Sequence, residues 1–130
     1  MSRIPDDVQE FLRARIKSYE ELEALVLLSH APERRWTAAA LSSALDIRLE
    51  DAREALVALR QRGLVEARGD SYSYLASPLD ETVERLAVAY ADNRLGIMNQ
   101  MSANAIERVR SATARALADA FVLRRGKKDG

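Results

Sequence analysis

The chain has 130 residues, of which 48% are hydrophobic and 31% are charged, and its formal net charge is zero. This size and composition predict a globular chain with one hydrophobic core, and the zero net charge gives it no overall attraction to nucleic acid. The sequence has no cysteine, which excludes disulfides and thiolate metal sites, and His30 alone leaves zinc binding and histidine-based catalysis almost without ligands.

The same features set expectations for location and chemistry. No apolar run approaches the roughly 18 to 20 residues that a membrane span needs, and the first residues lack the apolar stretch of a signal peptide. The sequence contains no recognisable phosphate loop, nucleophile elbow or pair of catalytic carboxylates. We therefore expect a cytoplasmic protein that is not an enzyme and that uses no cofactor, no metal and no membrane.

Two helices are predicted at the start of the chain. Apolar residues recur at helical spacing over residues 6–17, which favours an opening helix. Ser18 and Glu21 form a capping box for a second helix over residues 19–29, because the serine oxygen can accept a backbone N–H while the glutamate reaches back. Pro32 disfavours the helical conformation at the residue before it and so ends this helix.

The middle of the chain predicts a short strand and two further helices. The segment "ERRW" favours a strand, and Thr37 is a good N-cap for a helix over residues 38–45. After a tight turn, a helix over residues 49–62 buries one apolar face, and Gly63 stands where a left-handed C-cap is needed. The residues predicted on that buried face are Ala52, Leu56 and Leu59.

A β-hairpin and two C-terminal helices complete the prediction. The segments "LVEAR", "GD" and "SYSYL" predict a strand, a turn and a strand, with residues 64–68 paired to 72–75. A capped start at Ser77 predicts a helix over residues 79–101, with Gly96 as its weak point. Asn104 and Glu107 then predict the start of a last helix, and residues 124–130 are predicted to be a basic, flexible tail.

The segments "WTAAALSSALDI", "REALVALRQRGLVEARG" and "YSYL" resemble the winged helix-turn-helix of the MarR and PadR types of bacterial transcription regulators. With its flanks, the whole chain also resembles a group of small, functionally uncharacterised bacterial winged-helix proteins. The expected fold class is therefore mainly α, with three helices and a β-hairpin in a winged helix-turn-helix core over residues 18–77. An N-terminal helix (1–17) and two C-terminal helices (78–123) would flank this core within a single domain of residues 1–130.

The resemblance implies that the helix over residues 49–62 lies in the major groove of duplex DNA while the hairpin touches the backbone or minor groove. The first turn of that helix nevertheless carries Glu50, Asp51 and Glu54, which complement the helix dipole but repel phosphate. Residues 33–70 hold seven bases and seven acids, without the basic surplus that is typical of a DNA reader. The candidate DNA contacts are Arg34, Arg35, Thr37, Arg48, Arg53, Arg60, Arg62, Arg68 and Tyr72.

Two functions therefore stay open from the sequence. The first is a DNA-binding, non-enzymatic transcriptional regulator, and the alternative is a winged-helix module for protein–protein contact or a regulatory adaptor with little DNA affinity. A second apolar set, Val88, Leu95 and Met98, lies beyond the main stripe of the C-terminal helices and predicts a homodimer. The alternative for that set is a monomer that covers both stripes by itself.

Overall fold

A computed structural model describes residues 3–129 of the chain, with side chains described for residues 3–121. This part of the chain is mainly helical, with six helices and a small three-stranded antiparallel sheet. In chain order the elements are α1 (Asp6–Arg15), α2 (Tyr19–His30), β1 (Trp36–Thr37), α3 (Ala38–Leu45), α4 (Leu49–Gln61), β2 (Val65–Arg68), β3 (Ser71–Tyr74), α5 (Asp80–Asp92) and α6 (Arg94–Asp129).

Side-chain caps and one glycine explain where the central helices begin and end. The Ser18 Oγ accepts the Glu21 backbone N–H at 3.1 Å, and the Glu21 carboxylate accepts the Lys17 backbone N–H at 3.0 Å. Thr37 caps α3 in the same way, through a 3.1 Å bond from the Ala40 N–H. Gly63 follows α4 with a φ of 75°, a left-handed conformation that costs glycine little. These caps are confirmed as the sequence predicts them.

The sheet brings the hairpin against the strand that precedes α3. The strand order is β1-β3-β2, with both pairs antiparallel. Val65 pairs with Tyr74 and Arg68 with Ser71, which confirms the predicted antiparallel hairpin, with the bounds of both strands within one residue of the prediction. Trp36 pairs with Tyr72, so that the β1 end of the sheet lies next to the start of α3.

One continuous core joins the inner faces of α1, α2, α4 and α5 with the first turn of α6. Leu56 and Leu59 are 0% exposed, as is Ala52, which confirms the predicted inner face of α4. Leu22, Leu25 and Leu28 of α2 are equally buried. Burial of these side chains removes apolar surface from water and so is the main force that holds α4 on the body.

The C-terminal helices differ from the prediction. The helix predicted over residues 79–101 ends at Asp92, and the helix predicted to start at Asn104 begins ten residues earlier, at Arg94. The break is at Asn93, whose side-chain oxygen accepts the Gly96 backbone N–H at 3.1 Å and so caps α6. Asn104 is instead buried inside α6, where its side chain accepts a 3.0 Å bond from Gln100.

Polar contacts attach α5 and α6 to the first two helices. The Asp7 carboxylate accepts bonds from Arg85 at 2.7 Å and from Thr82 at 3.2 Å. The Tyr19 and Tyr90 hydroxyls lie 2.8 Å apart, and Arg94 donates to the Tyr19 hydroxyl. Burial and the nearby charge of Glu23 raise the pKa of Tyr90 to about 12, so this hydroxyl stays protonated and able to donate.

The attachment of α6 to the body extends to Arg108, which donates to the Lys17 carbonyl oxygen at 3.4 Å, and the described side chains beyond it are exposed. The 36 residues of α6 correspond to a length of about 54 Å. The backbone is helical through Asp129, so α6 enters the predicted tail of residues 124–130, whose side chains lie outside the described residues. Among the described residues, no helix has both the length and the apolar character of a membrane span.

Candidate nucleic-acid interface

The outer face of α4 has an unusual mixture of side chains. Leu49 and Val57, two turns apart, are 40% and 45% exposed, and Arg53 lies between them on the same face. Glu50 and Glu54 are exposed on the same helix. The helix therefore presents one cation between two apolar side chains, with carboxylates alongside.

A cleft of about 340 Å³ lies between this face, the start of α3 and the hairpin. Arg53 and Tyr72 line it together with Thr37, which also caps α3. The other lining residues are Ala38, Ala39, Leu49, Val57 and Asp70. The fold thus brings together three of the predicted site residues, although they come from α4, β3 and the β1–α3 junction.

The hairpin is braced by a short hydrogen-bond chain. The Arg35 Nε donates to the Ser71 Oγ at 3.0 Å, and the Ser71 hydroxyl donates to the Arg68 carbonyl oxygen at 3.0 Å. Since both acceptors are neutral, the charge of Arg35 is not cancelled. These two hydrogen bonds therefore fix the side chain of Arg35 and the backbone of Arg68, which lie at the β1 and β2 sides of β3.

Arg34 stacks on the ring of Trp36. Its guanidinium carbon lies 3.8 Å from the ring centroid, a cation–π contact that keeps the positive charge. Trp36 is itself 4% exposed, so the arginine covers the outer side of a core residue while remaining exposed. A guanidinium held in this way can still donate to an anion at its edge.

Arg48 at the start of α4 is neutralised by its own helix. Its Nε and Nη2 donate to the two Asp51 carboxylate oxygens at 3.1 and 3.3 Å. This hydrogen-bonded pair raises the pKa of Arg48 above its ordinary value. Asp51 thus neutralises the charge of Arg48. Arg48 is therefore a weaker candidate for a phosphate contact than its position in the sequence implies.

Arg62 does not belong to the surface around α4. Its Nη1 donates to the Arg15 carbonyl oxygen at 2.7 Å and to the nearly buried Glu21 carboxylate. Arg15 in turn donates to the Arg62 carbonyl oxygen at 3.2 Å. Arg62 therefore has a structural role, in which it connects the end of α4 to α1 and α2 and supplies the cation that Glu21 needs there. Its DNA contact stays a prediction.

Five of the predicted arginines keep an available charge. Within residues 3–121, none of them is ion-paired with a carboxylate. Each is exposed, so its charge remains accessible to a phosphate. The five are Arg34, Arg35, Arg53, Arg60 and Arg68.

Sequence reasoning missed three residues of this surface. Leu49 and Val57 follow the spacing i, i+8 around Arg53, a pattern that is visible in the sequence once the buried face is assigned. Ser71 gave no comparable signal, since its role depends on the pairing of β3 with both neighbouring strands.

No metal-binding constellation was found in the described part of the chain, where no three of its histidine, aspartate and glutamate side chains come together suitably. Comparisons with protein-family models, with curated proteins and with solved structures found no match to this chain. The functional argument therefore depends on the geometry of α4, the cleft and the hairpin.

Proposed function

We propose that residues 18–77 form a winged helix-turn-helix that binds duplex DNA, and that the chain acts in the cytoplasm as a non-enzymatic transcriptional regulator. The observation that carries the proposal is the cleft in which the unpaired Arg53 of α4 lies beside Tyr72 of the hairpin. The order α2-β1-α3-α4-β2-β3, with its antiparallel sheet, supports the winged arrangement.

The five unpaired arginines would supply the backbone contacts. Lys and Arg side chains that neutralise phosphates release counterions, and this term supplies most non-specific DNA affinity. Of the positions 50, 51, 53 and 54, which would face base edges in the major groove, only position 53 carries a cation, Arg53, so we expect few direct base contacts. Glu50 and Glu54 would reduce the affinity for phosphate, and among the base edges their carboxylates would accept hydrogen bonds from cytosine amino groups.

The proposal is tested by titrating labelled genomic DNA fragments at about 50 mM salt, where phosphate contacts are favoured. We expect measurable binding of DNA by the unaltered chain. The Arg53→Ala variant should bind with roughly tenfold or more lower affinity, since a good arginine–base contact contributes about 1–3 kcal/mol. Arg13→Ala is the matched control, because this exposed arginine of α1 pairs only with Glu10. Absence of binding by the unaltered chain would reject the proposal.

A second function is favoured by the two exposed apolar side chains on α4. Leu49 and Val57, with Glu50 and Glu54 alongside, form a surface suited to a basic, partly apolar segment of another protein. We propose this adaptor function as the alternative. The double variant Glu50→Lys with Glu54→Lys separates the two functions. If the chain is an adaptor, the variant should lose binding to its protein partner. If the chain binds DNA, the variant should bind DNA more strongly than the unaltered chain.

A further inference from the structure

Helix α6 has two apolar stripes on opposite sides. Ile97 is 0% exposed and Met101 packs partly against the core, so this side of the helix faces the body. On the other side, Leu95, Ile106 and Leu117 are 69%, 55% and 60% exposed. Every described side chain from Val109 to Phe121 is exposed, so this stretch of α6 has no cover from the described part of its own chain.

The exposed stripe follows an eleven-residue repeat. Leu95, Ile106 and Leu117 are eleven residues apart, and the positions three and seven residues after each of them continue the same line along the helix. An eleven-residue repeat has about 3.67 residues per turn, close to the roughly 3.6 of a straight α-helix, so the line turns around α6 only slowly, by about 20° per repeat. The eight described positions are Leu95, Met98, Ser102, Ile106, Val109, Thr113, Leu117 and Ala120.

The spacing of these eight positions reads the same in both directions. Starting from Leu95, the steps are three, four, four, three, four, four and three residues. A second copy of the helix that runs the opposite way therefore meets the first copy layer by layer. The layers would be Leu95 with Ala120, Met98 with Leu117, Ser102 with Thr113 and Ile106 with Val109.

We propose that the exposed stripe of α6 binds the α6 of a second copy of this chain in this antiparallel register. Each layer then combines side chains of matching character: three layers are apolar and the fourth joins two hydroxyls that can hydrogen-bond to each other. A helix segment without tertiary contacts is marginal in water, so pairing also accounts for the helical state of the far part of α6.

Charge favours the antiparallel direction over the parallel one. The end of α6 carries Arg124, Arg125, Lys127 and Lys128 against one acid, Asp129. Parallel pairing would bring two such basic ends together, whereas antiparallel pairing separates them by most of the helix length. Each basic end then approaches the partner's α5–α6 junction, where Asp92 and Arg94 together add no net charge, so that it meets no second group of bases.

Cysteine cross-linking tests the register directly, because the chain has no cysteine of its own. Ser102→Cys and Thr113→Cys variants are prepared separately, mixed under reducing and partly denaturing conditions, refolded together and then oxidised. We expect a disulfide-linked dimer that contains one copy of each variant, and no cross-link in either variant alone. Cross-linking of Thr113→Cys to itself would indicate parallel pairing and would overturn the proposal.

The mass in solution tests the surface independently of the register. The chain of 14.5 kDa should sediment as a dimer at tens of micromolar. Leu117→Asp should reduce it to a monomer, while Ala118→Asp, on the opposite side of the helix, should leave the dimer intact. Circular dichroism of both variants verifies that the body remains folded. A monomeric unaltered chain, or a dimer that forms none of the expected cross-links, would overturn the proposal.

Discussion

Helices α4 and α6 both carry apolar side chains at helical spacing, but these side chains have different surroundings. The apolar face of α4 is covered by its own chain, so that Leu56 is 0% exposed. The apolar stripe in the far part of α6 is uncovered, with Val109 67% and Leu117 60% exposed. Periodicity therefore predicts which face of a helix is apolar, but not whether the same chain or another one covers that face.

The difference also separates two kinds of stability. The contacts of α4 contribute to the free energy of unfolding of each chain at any concentration. The stripe of α6 contributes only when a partner is present, so its contribution depends on protein concentration. Four variants, in order of decreasing expected effect, probe the contacts of α4, of α6 and of the α1–α5 ion pair.

The largest effect is expected at the buried face of α4. Leu56→Ala should lower the free energy of unfolding by about 3–4 kcal/mol, because it removes buried methyl groups and leaves a cavity. Chemical denaturation at two protein concentrations measures this loss, which should be the same at both. A loss below about 1 kcal/mol would contradict the burial of Leu56.

Arg62, the C-cap of α4, should be the next most sensitive position. Arg62→Ala leaves the nearly buried Glu21 carboxylate without its cation and should cost about 2–3 kcal/mol in denaturant unfolding. Arg60→Ala, two residues earlier and exposed, is the matched control and should stay within about 0.5 kcal/mol. Equal effects for the two variants would show that Arg62 has no special structural role.

Leu117→Ala should have a smaller effect that depends on concentration. At low protein concentration, its thermal midpoint should match that of the unaltered chain, since Leu117 is 60% exposed in the single chain. At high concentration, the variant should lack much of the stabilisation that pairing provides, with the dimer dissociation constant raised by about tenfold or more. A destabilisation of the same size at every concentration would place Leu117 in the monomer core.

The smallest effect concerns acid stability. The hydrogen bond from Arg85 holds the pKa of Asp7 below its ordinary value of 3.8. A carboxyl whose pKa is lower in the folded state stabilises the fold above the ordinary pKa, and this contribution is lost as the pH falls through the lowered value. Asp7→Asn should therefore reduce the loss of stability below about pH 4, as measured by thermal unfolding across pH. An unchanged pH profile would contradict the assigned role of the Asp7–Arg85 pair.

Much of the local structure followed from the sequence. The caps at Ser18 and Thr37, the glycine after α4 and the hairpin were predictable, because each depends on residues only a few positions apart. The break at Asn93 was not predicted, since Gly96 is the more obvious weak point and a capping asparagine inside an apolar pattern is easily overlooked.

The candidate surface was predictable only in part. The sequence identified the arginines but not their partners, which come from distant segments. Arg62 reaches Glu21, 41 residues away, whereas Arg35 reaches Ser71, 36 residues away. The first contact removes an arginine from the surface and the second one positions an arginine on it, and local pattern cannot distinguish these outcomes.

The most direct test of the proposed DNA-binding surface is the salt dependence of DNA affinity for the unaltered chain and for Arg68→Ala. If the exposed hairpin arginine contacts a phosphate, the logarithm of the binding constant should fall linearly with the logarithm of salt concentration. Arg68→Ala should reduce the magnitude of that slope by about one, while binding weakens by a similar factor on unrelated sequences. An affinity that does not depend on salt, or a slope that Arg68→Ala leaves unchanged, would contradict a role for the hairpin in binding DNA.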